Sequence, residues 1–457
     1  MFGFSLLLHT AQAAEDAVTE EGWLYSKQAP HYSDFNQSEF PADRLEASAT
    51  LRSMWIDTRY ADTKQTATAF GGHFAIETAE FYGLSGLIGV QTSQKLWGIN
   101  PGNAETVHPE FYDAEGEAFT YLSEAELRYT LGDFSFRAGR MNVQTPYADP
   151  DDIRMAYNTF EGVAAGYTLN DALHFELFYF NRWAGFDSSE AQSEFVRFGE
   201  RSEGMAAAGA VYTTGDTLET SLWAYYADRL FALLYAEAVG NIALMPEVSL
   251  EWGVQAAQMR ERDASGIKGE VLGAMGTLHH RHLYGGFAYN RAMPGTNGVV
   301  TDGFGGGPYF TSLDEATIAA VSELFPGHDL SVYRIGGGFE LVWGLPENAV
   351  YLEAVYGVFD PEKNTASIAE TDLLLWSEQQ ATVKLTECMK GCGATVVKLH
   401  AQGALKQRLV SFGVMKGARV EVIGFAPAKS TVEIKIGRMR LALRKEEAEL
   451  IEVNADA

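Results

Sequence analysis

The stretch Leu173-His174-Phe175-Glu176-Leu177-Phe178-Tyr179 sets apolar side chains at every odd position, while His174 and Glu176 face the other way. That is a period of two, the pattern of a β-strand with one apolar and one polar face. The same alternation recurs outward along the chain. Leu127, Tyr129 and Leu131 oppose Glu126, Arg128 and Thr130. Val248, Leu250, Trp252 and Val254 oppose Glu247, Ser249, Glu251 and Gln255. Tyr333, Ile335, Phe339 and Leu341 oppose Arg334 and Glu340, and Val350, Leu352, Ala354, Tyr356 and Val358 share a further face.

About sixteen such segments of roughly 9–12 residues follow one another, the length of a tilted strand that crosses a bilayer. Their expected starts are Leu45, Ala69, Gly83, Leu122, Asp133, Phe160, Leu173, Gly204, Leu218, Leu230, Glu247, Lys268, Arg281, Leu330, Asn348 and Glu370. Tight turns such as Leu131-Gly132-Asp133, Asn170-Asp171 and Thr214-Gly215-Asp216 alternate with long loops at 94–120, 143–159 and 293–329. Short turns on one side and long loops on the other match an outer-membrane barrel. Trp183, Tyr225, Tyr226 and Trp343 sit near strand ends, as interface aromatics do. A soluble β protein also alternates, but its strands average about 5–6 residues, and sixteen of them in one soluble sheet would expose long edges.

The whole chain has 457 residues, with 61 acidic and 34 basic side chains and a net charge of −27. Such a balance repels nucleic acid. The charge is uneven. The last 77 residues hold 13 Lys+Arg and 8 Asp+Glu, whereas the first 380 carry a net −32. Such asymmetry marks a domain boundary, and two modules are expected, 41–380 and 381–457. Residues 1–14, with the apolar run Phe2–Leu8 and then Ala11-Gln12-Ala13, read as a truncated secretory signal, and 15–40 as a mobile N-terminal segment. The fold expectation is all-β: a transmembrane antiparallel barrel, then a small barrel of about five strands with one short helix. In the second module strands are expected from Thr382, Thr395, Ala418, Thr431, Arg438 and Leu450, a helix near Leu405–Phe412, and a turn at Lys445–Ala448.

A barrel this wide is not filled by its own side chains, so an aqueous lumen is expected. Arg128, Arg137, Arg182 and Arg334, with Glu126, Glu176, Glu251, Glu340 and Glu353, have lumen parity and are the candidate pore residues. Opposed charges there would orient dipolar solutes. For any one of them the plainer reading is a solvated lumen face. Loop 293–329, carrying Gly303-Phe304-Gly305-Gly306-Gly307-Pro308, fits either an inward constriction or an external loop. It lacks the Gly-Lys-Ser/Thr of a phosphate loop. His279, His280 and His282 straddle a turn and read as lumen or rim residues. No nucleophile-base constellation stands out, so no enzyme is expected; a membrane hydrolase is the remote alternative.

Residues 40–378 resemble an OprD-like outer-membrane porin of ε-proteobacterial type, through phrases such as Phe134-Ser135-Phe136-Arg137-Ala138-Gly139-Arg140 and Thr371-Asp372-Leu373-Leu374-Leu375-Trp376. The resemblance implies passive diffusion of small solutes across the outer membrane, as a monomer or a trimer. It also implies 18 strands and a terminal aromatic. This chain yields about sixteen and ends Asn454-Ala455-Asp456-Ala457, so closing strands are expected to be missing.

Residues 382–453 resemble a FeoA domain, with Leu405, Arg408, Leu409, Gly413, Gly417, Pro427, Arg440, Leu443 and Arg444 in the motif. That resemblance implies an SH3-like accessory of ferrous-iron transport that meets a FeoB-type permease through this surface, with Fe(II) as an associated ion. Cys388 and Cys392, with Glu387 and His400, are metal candidates. Gly391 and Gly393 disfavour a helix that would pair the thiols, and two cysteines are half of a closed zinc site, so buried thiols are the plainer reading. A porin belongs in the outer membrane and a FeoA protein in the cytoplasm. Either one fused chain carries its second module in the periplasm, or two adjacent genes, a porin and a separate cytoplasmic protein, have been joined near Ser377–Ala381.

Overall fold

The computed structural model describes residues 45–60, 63–95, 109–342 and 348–455, apart from short gaps inside those ranges. They form two compact units that divide in sequence near Ser377.

The first unit is one sheet of sixteen antiparallel strands, each paired with its sequence neighbours, with β1 and β16 at the ends of the order. The strands are β1 (Glu46–Tyr60), β2 (Thr63–Glu77), β3 (Leu84–Lys95), β4 (Phe119–Leu131), β5 (Phe134–Met141), β6 (Thr159–Asn170), β7 (Leu173–Ala184) and β8 (Met205–Thr214). They continue as β9 (Leu218–Ala227), β10 (Phe231–Met245), β11 (Val248–Glu261), β12 (Gly269–His280), β13 (Leu283–Met293), β14 (Leu330–Val342), β15 (Asn348–Pro361) and β16 (Ile368–Gln379). Twelve residues at about 3.3 Å each, tilted by about 40°, cover roughly 30 Å, the hydrocarbon thickness. The expected strand starts hold to within three residues except at β2. There Lys64, Gln65 and Thr66 are polar on both faces, and the alternation emerges only later.

One face of the sheet is exposed and apolar. On β7, Phe175, Leu177 and Tyr179 point out while Phe178 and Phe180 are buried. Leu127, Leu222, Leu272, Ile335 and Tyr356 continue that exposed face on other strands. An apolar exterior with polar groups turned inward is the inverse of a soluble fold and the arrangement that lipid requires. The even-numbered strands, β16 included, end at one rim, where the short turns after β2, β4, β10 and β12 lie. The odd-numbered strands end at the other, where the long segments after β5, β7 and β13 lie.

The interior departs from the expected water-filled lumen. Inward aromatics of β6–β10 (Phe160, Phe178, Phe180, Trp223, Tyr225, Phe231, Tyr235) build an apolar core with Tyr147, Phe198, Phe304 and Tyr309 from the long loops. Strand side chains alone do not fill a wide barrel; the loops supply the rest on that arc. A second departure concerns Arg182. β7 carries a bulge between Phe180 and Arg182, so Trp183 returns to the buried face and Arg182 is exposed, off the lumen parity.

The second unit is a six-stranded sheet in the order β17-β22-β18-β19-β20-β21, with a strand at each of the six expected places. Its strands are β17 (Val383–Lys384), β18 (Gly393–Leu399), β19 (Arg419–Phe425), β20 (Thr431–Ile436), β21 (Met439–Arg444) and β22 (Ile451–Ala455). Its core includes Leu385, Val396, Leu409, Val420, Val422, Ile434, Leu443 and Ile451. Leu405, Lys406, Arg408 and Leu409 are helical. The expected turn at Lys445–Ala448 is a short helix, α2, because the Glu447 carboxylate accepts the Arg444 N–H at 3.1 Å and closes its first turn. Helix α1 (Ile318–Leu324) belongs to the first unit, its N-terminus capped by Thr317.

Candidate functional site: a constriction inside the barrel

Loop 294–329 folds inward, which decides the alternative left open by its sequence. Gln255 on β11 donates to the Pro308 carbonyl at 3.2 Å, and Arg334 on β14 to the Phe310 carbonyl at 3.2 Å. Thr311 donates to Asn290 on β13 at 3.0 Å, and Ala316 N–H to Glu370 on β16 at 2.7 Å. Gly253 on β11 leaves the space that Phe310 uses: a Cβ there would stand 2.8 Å from the ring.

Loop 142–158 folds inward against the opposite arc. Arg52 on β1 pairs with Asp152 and donates to the Arg154 carbonyl at 2.7 Å. Gln91 on β3 donates to the Tyr157 carbonyl at 3.2 Å. The Tyr157 hydroxyl donates at 3.0 Å to Glu124 on β4, which His73 on β2 also meets. Arg154 pairs with Glu110 and, at 3.3 Å, with Asp314, linking a third loop.

The two inward loops meet through a clasp. Asp149 accepts the Gly306 and Gly307 N–H groups at 3.2 Å each and the Asp151 N–H at 2.9 Å. Gly307 has φ +72°, and a Cβ there would stand 2.6 Å from Asp302, so only glycine suits that turn. Tyr147 and Tyr309 hydroxyls meet at 2.9 Å. The Phe304 ring packs on Phe198 (4.5 Å), Trp183 (5.4 Å) and Phe231 (6.0 Å). Burial, with the charge of Asp151, pushes the Asp149 carboxyl up to about 8 against the three N–H donors that favour its charge. Burial likewise raises Asp302 to about 7, and burial with Asp151 raises Asp187.

Below the loops the expected lumen residues gather on the inward wall. Glu126 pairs with both Arg128 and Arg137, the latter at 2.9 Å, and Arg128 reaches Glu77 at 3.1 Å. Arg137 and Glu176 line one pocket with Ser135, Gln144 and Thr145. Glu251 meets His279 at 3.2 Å, Glu340 meets His282 at 3.1 Å, and Glu353 accepts from Tyr284 at 2.9 Å. Of the predicted set only Arg182 is displaced. The sequence reading missed Asp149, the inward aromatics and loop 185–204, whose Asp187 accepts from Asn158 at 2.8 Å. The aspartates lie in stretches with no period, where pattern has nothing to report.

In the second unit Arg408, Arg440 and Arg444 are exposed, but Leu409 and Leu443 are core residues rather than surface ones, and Leu405 is half-buried. Arg408 reaches Glu447 at 2.6 Å. Cys388 is buried among apolar side chains and His400 is exposed. No group of three or more potential metal ligands occurs among the described residues. Cys392, Gly413, Gly417 and Pro427 lie outside the described residues, as do the expected signal and N-terminal segments.

Comparison with known proteins decides the families. A FeoA domain model matches residues 383–455, and a model for the outer membrane porin, OprD family, matches residues 90–297. The chain joins an OprD-family porin barrel to a FeoA domain. For the FeoA domain, a putative Fe(2+) transport protein A of Campylobacter jejuni is 36% identical over 70 residues, 15% of this chain and 95% of the relative. That of Helicobacter pylori strain J99 is 32% identical over 74 residues, 16% of this chain and 95% of the relative. For the porin, the crystal structure of Acinetobacter baumannii OccAB4 shares the fold with a TM-score of 0.62 at 14% identity, covering 91% of this chain and 97% of that one. No helix among the described residues is long and apolar enough to cross a membrane; this porin crosses with strands.

Proposed function

We propose that the barrel is a passive-diffusion pore for small polar solutes and that the FeoA domain is an accessory of ferrous-iron transport carried on the same chain. The observation that carries the pore reading is the paired inward loops, docked on inward side chains of β1, β3 and β4 on one arc and β11, β13, β14 and β16 on the other. A wide barrel narrowed from within admits small solutes and excludes large ones. The wall of Arg128, Arg137, Arg334, Glu126, Glu176, Glu251, Glu340 and Glu353 would then steer what passes.

The FeoA domain presents Arg408, Arg440 and Arg444 as its candidate surface for a FeoB-type permease. In the fused reading the FeoA domain is carried in the periplasm. The alternative is a separate cytoplasmic FeoA protein, its gene adjoining the porin's; the division of the two compact units near Ser377 suits it equally. Full-length protein in planar bilayers tests the pore: stepwise conductance and size-limited liposome swelling are expected, and intact membranes without conductance would refute it. Residues 381–457 alone should retain the FeoB-type permease from detergent extract, and failure to do so while folded would remove the accessory reading.

A further inference from the structure

We propose that the lipid-facing side of β9–β11, at the long-loop rim, docks a phosphorylated headgroup of the outer-leaflet lipid, held by Arg260 and Arg262 beside Tyr226. This depends on neither the pore reading nor the iron-transport reading, only on the barrel's place in the membrane.

The outward positions of these strands and of β12 are apolar in mid-span, as at Leu222, Leu234, Val254 and Leu272. Toward the long-loop rim they turn polar, and there Gln258 donates to Glu270 at 3.1 Å. Arg260 shares the outward parity of Val254 and Gln258 and is exposed. It stands two residues, about 7 Å, beyond Gln258 along the strand. Arg262 follows just past the end of β11 and is exposed too. Its N–H donates to the Leu230 carbonyl at 3.0 Å, and its guanidinium lies 5.3 Å from the centre of the exposed Tyr226 ring. Long loops mark the extracellular side of such a barrel, so this height on the outward face is the headgroup layer of the outer leaflet. Arginine stems run along apolar surface and carry their charge into that layer.

The sign of the ligand follows from which charges are already matched. Arg229 meets Asp228 at 3.5 Å and Asp263 at 3.7 Å, and Lys268 meets Glu261 at 3.1 Å. Among the described residues neither Arg260 nor Arg262 has a carboxylate partner. Arg140 and Arg291, outward at the same rim, do have one: Glu161 at 3.0 Å and Glu362 at 2.6 Å. Arg182 lies opposite Glu161 in register. At the other rim Arg281 meets Glu247 at 2.6 Å. Two adjacent permanent cations thus stand in the headgroup layer without an anion from the chain, although the first 380 residues carry a net −32. A phosphate monoester matches them: its oxygens accept paired N–H bonds from a guanidinium, which gives up its water more readily than an ammonium does.

The test titrates full-length protein in detergent micelles with lipid A and with phosphatase-treated lipid A, counting bound lipid by native mass spectrometry. At about a fivefold gain for each arginine near a membrane surface, lipid A should bind roughly 30-fold more tightly than its dephosphorylated form. Arg260→Gln with Arg262→Gln should bind the two lipids alike, whereas Arg281→Gln at the other rim should keep the preference. Equal affinity of the parent for both lipids would overturn the proposal, and this comparison needs no variant to fold. A phosphate preference retained by the double variant, with heat-modifiable migration intact, would overturn it as well. Displacement of lipid A by excess inorganic phosphate would make the site one for free anions and overturn the lipid as its occupant.

Discussion

Phe304→Ala isolates the constriction from the barrel that holds it. Phe304 is 6% exposed and packs edge-on against Phe198 and Trp183 and stacked on Phe231. Its backbone also joins the second loop: its N–H donates to the Tyr147 carbonyl at 3.1 Å, and Asp149 N–H donates to its carbonyl at 3.3 Å. The backbone bonds survive the substitution; the ring does not. Removing a buried phenylalanine ring costs about 3–5 kcal/mol, which shifts the docking equilibrium of loop 294–329 by roughly a hundred- to a few-thousand-fold. The strand ladders make no use of the ring, so the barrel itself should persist, and heat-modifiable migration on gels should be retained. Single-channel recording should then show larger and noisier openings than the parent. Phe304→Leu, which keeps most of the apolar volume, should lie between the two. An unchanged conductance in Phe304→Ala, with the barrel intact, would refute the idea that the docked loop narrows the pore.

The clasp predicts a pH dependence of definite sign. Asp149 and Asp302 are raised to about 8 and about 7 when docked. Carboxyls raised in the docked state favour docking at low pH, and that contribution is lost as pH rises from the ordinary carboxylate range to those values. Channel noise should therefore grow between about pH 4 and 8 and level off above, and Asp149→Asn should flatten the profile; a parent profile that falls over this range would contradict it. Gly253→Leu drives a side chain into the Phe310 ring and should destabilise loop docking by about 1–3 kcal/mol, read as raised conductance; no change would show that the space is not shared. In the FeoA domain, burial of Glu447 is outweighed by the Arg444 N–H and the Arg408 guanidinium, which hold its carboxyl below the usual range. Its contribution is present above the ordinary carboxylate pKa and lost as pH falls through the lowered one. Glu447→Gln should lower domain stability by about 0.5–1 kcal/mol at neutral pH, checked by urea unfolding of residues 381–457.

The barrel was legible because lipid makes the period of two strict. Leu173–Tyr179 can satisfy bilayer and lumen only as an alternating strand, so the strand starts followed from the alternation to within three residues, save β2, whose opening Lys64-Gln65-Thr66 is polar on both faces. The same alternation assigns the inward parity, and Arg182 departs from it because a single extra residue in β7 reverses the facing of everything after it. The constriction was not legible. Asp149 sits in a loop without period, and its partners Gly306 and Gly307 lie more than a hundred residues onward; nothing local records a loop-to-loop clasp. The FeoA motif was legible as a family likeness, yet Leu409 and Leu443 in that motif prove to be core, because a motif mixes residues kept for packing with residues kept for contact.

The central claim, that one polypeptide carries a porin barrel and a FeoA domain, is tested most directly by fractionating cells that express the chain with a C-terminal tag and detecting the tag by immunoblot. The account predicts a single heat-modifiable band near 50.1 kDa in the outer membrane. A small soluble tagged species with no full-length band would contradict it and leave a porin and a separate FeoA protein.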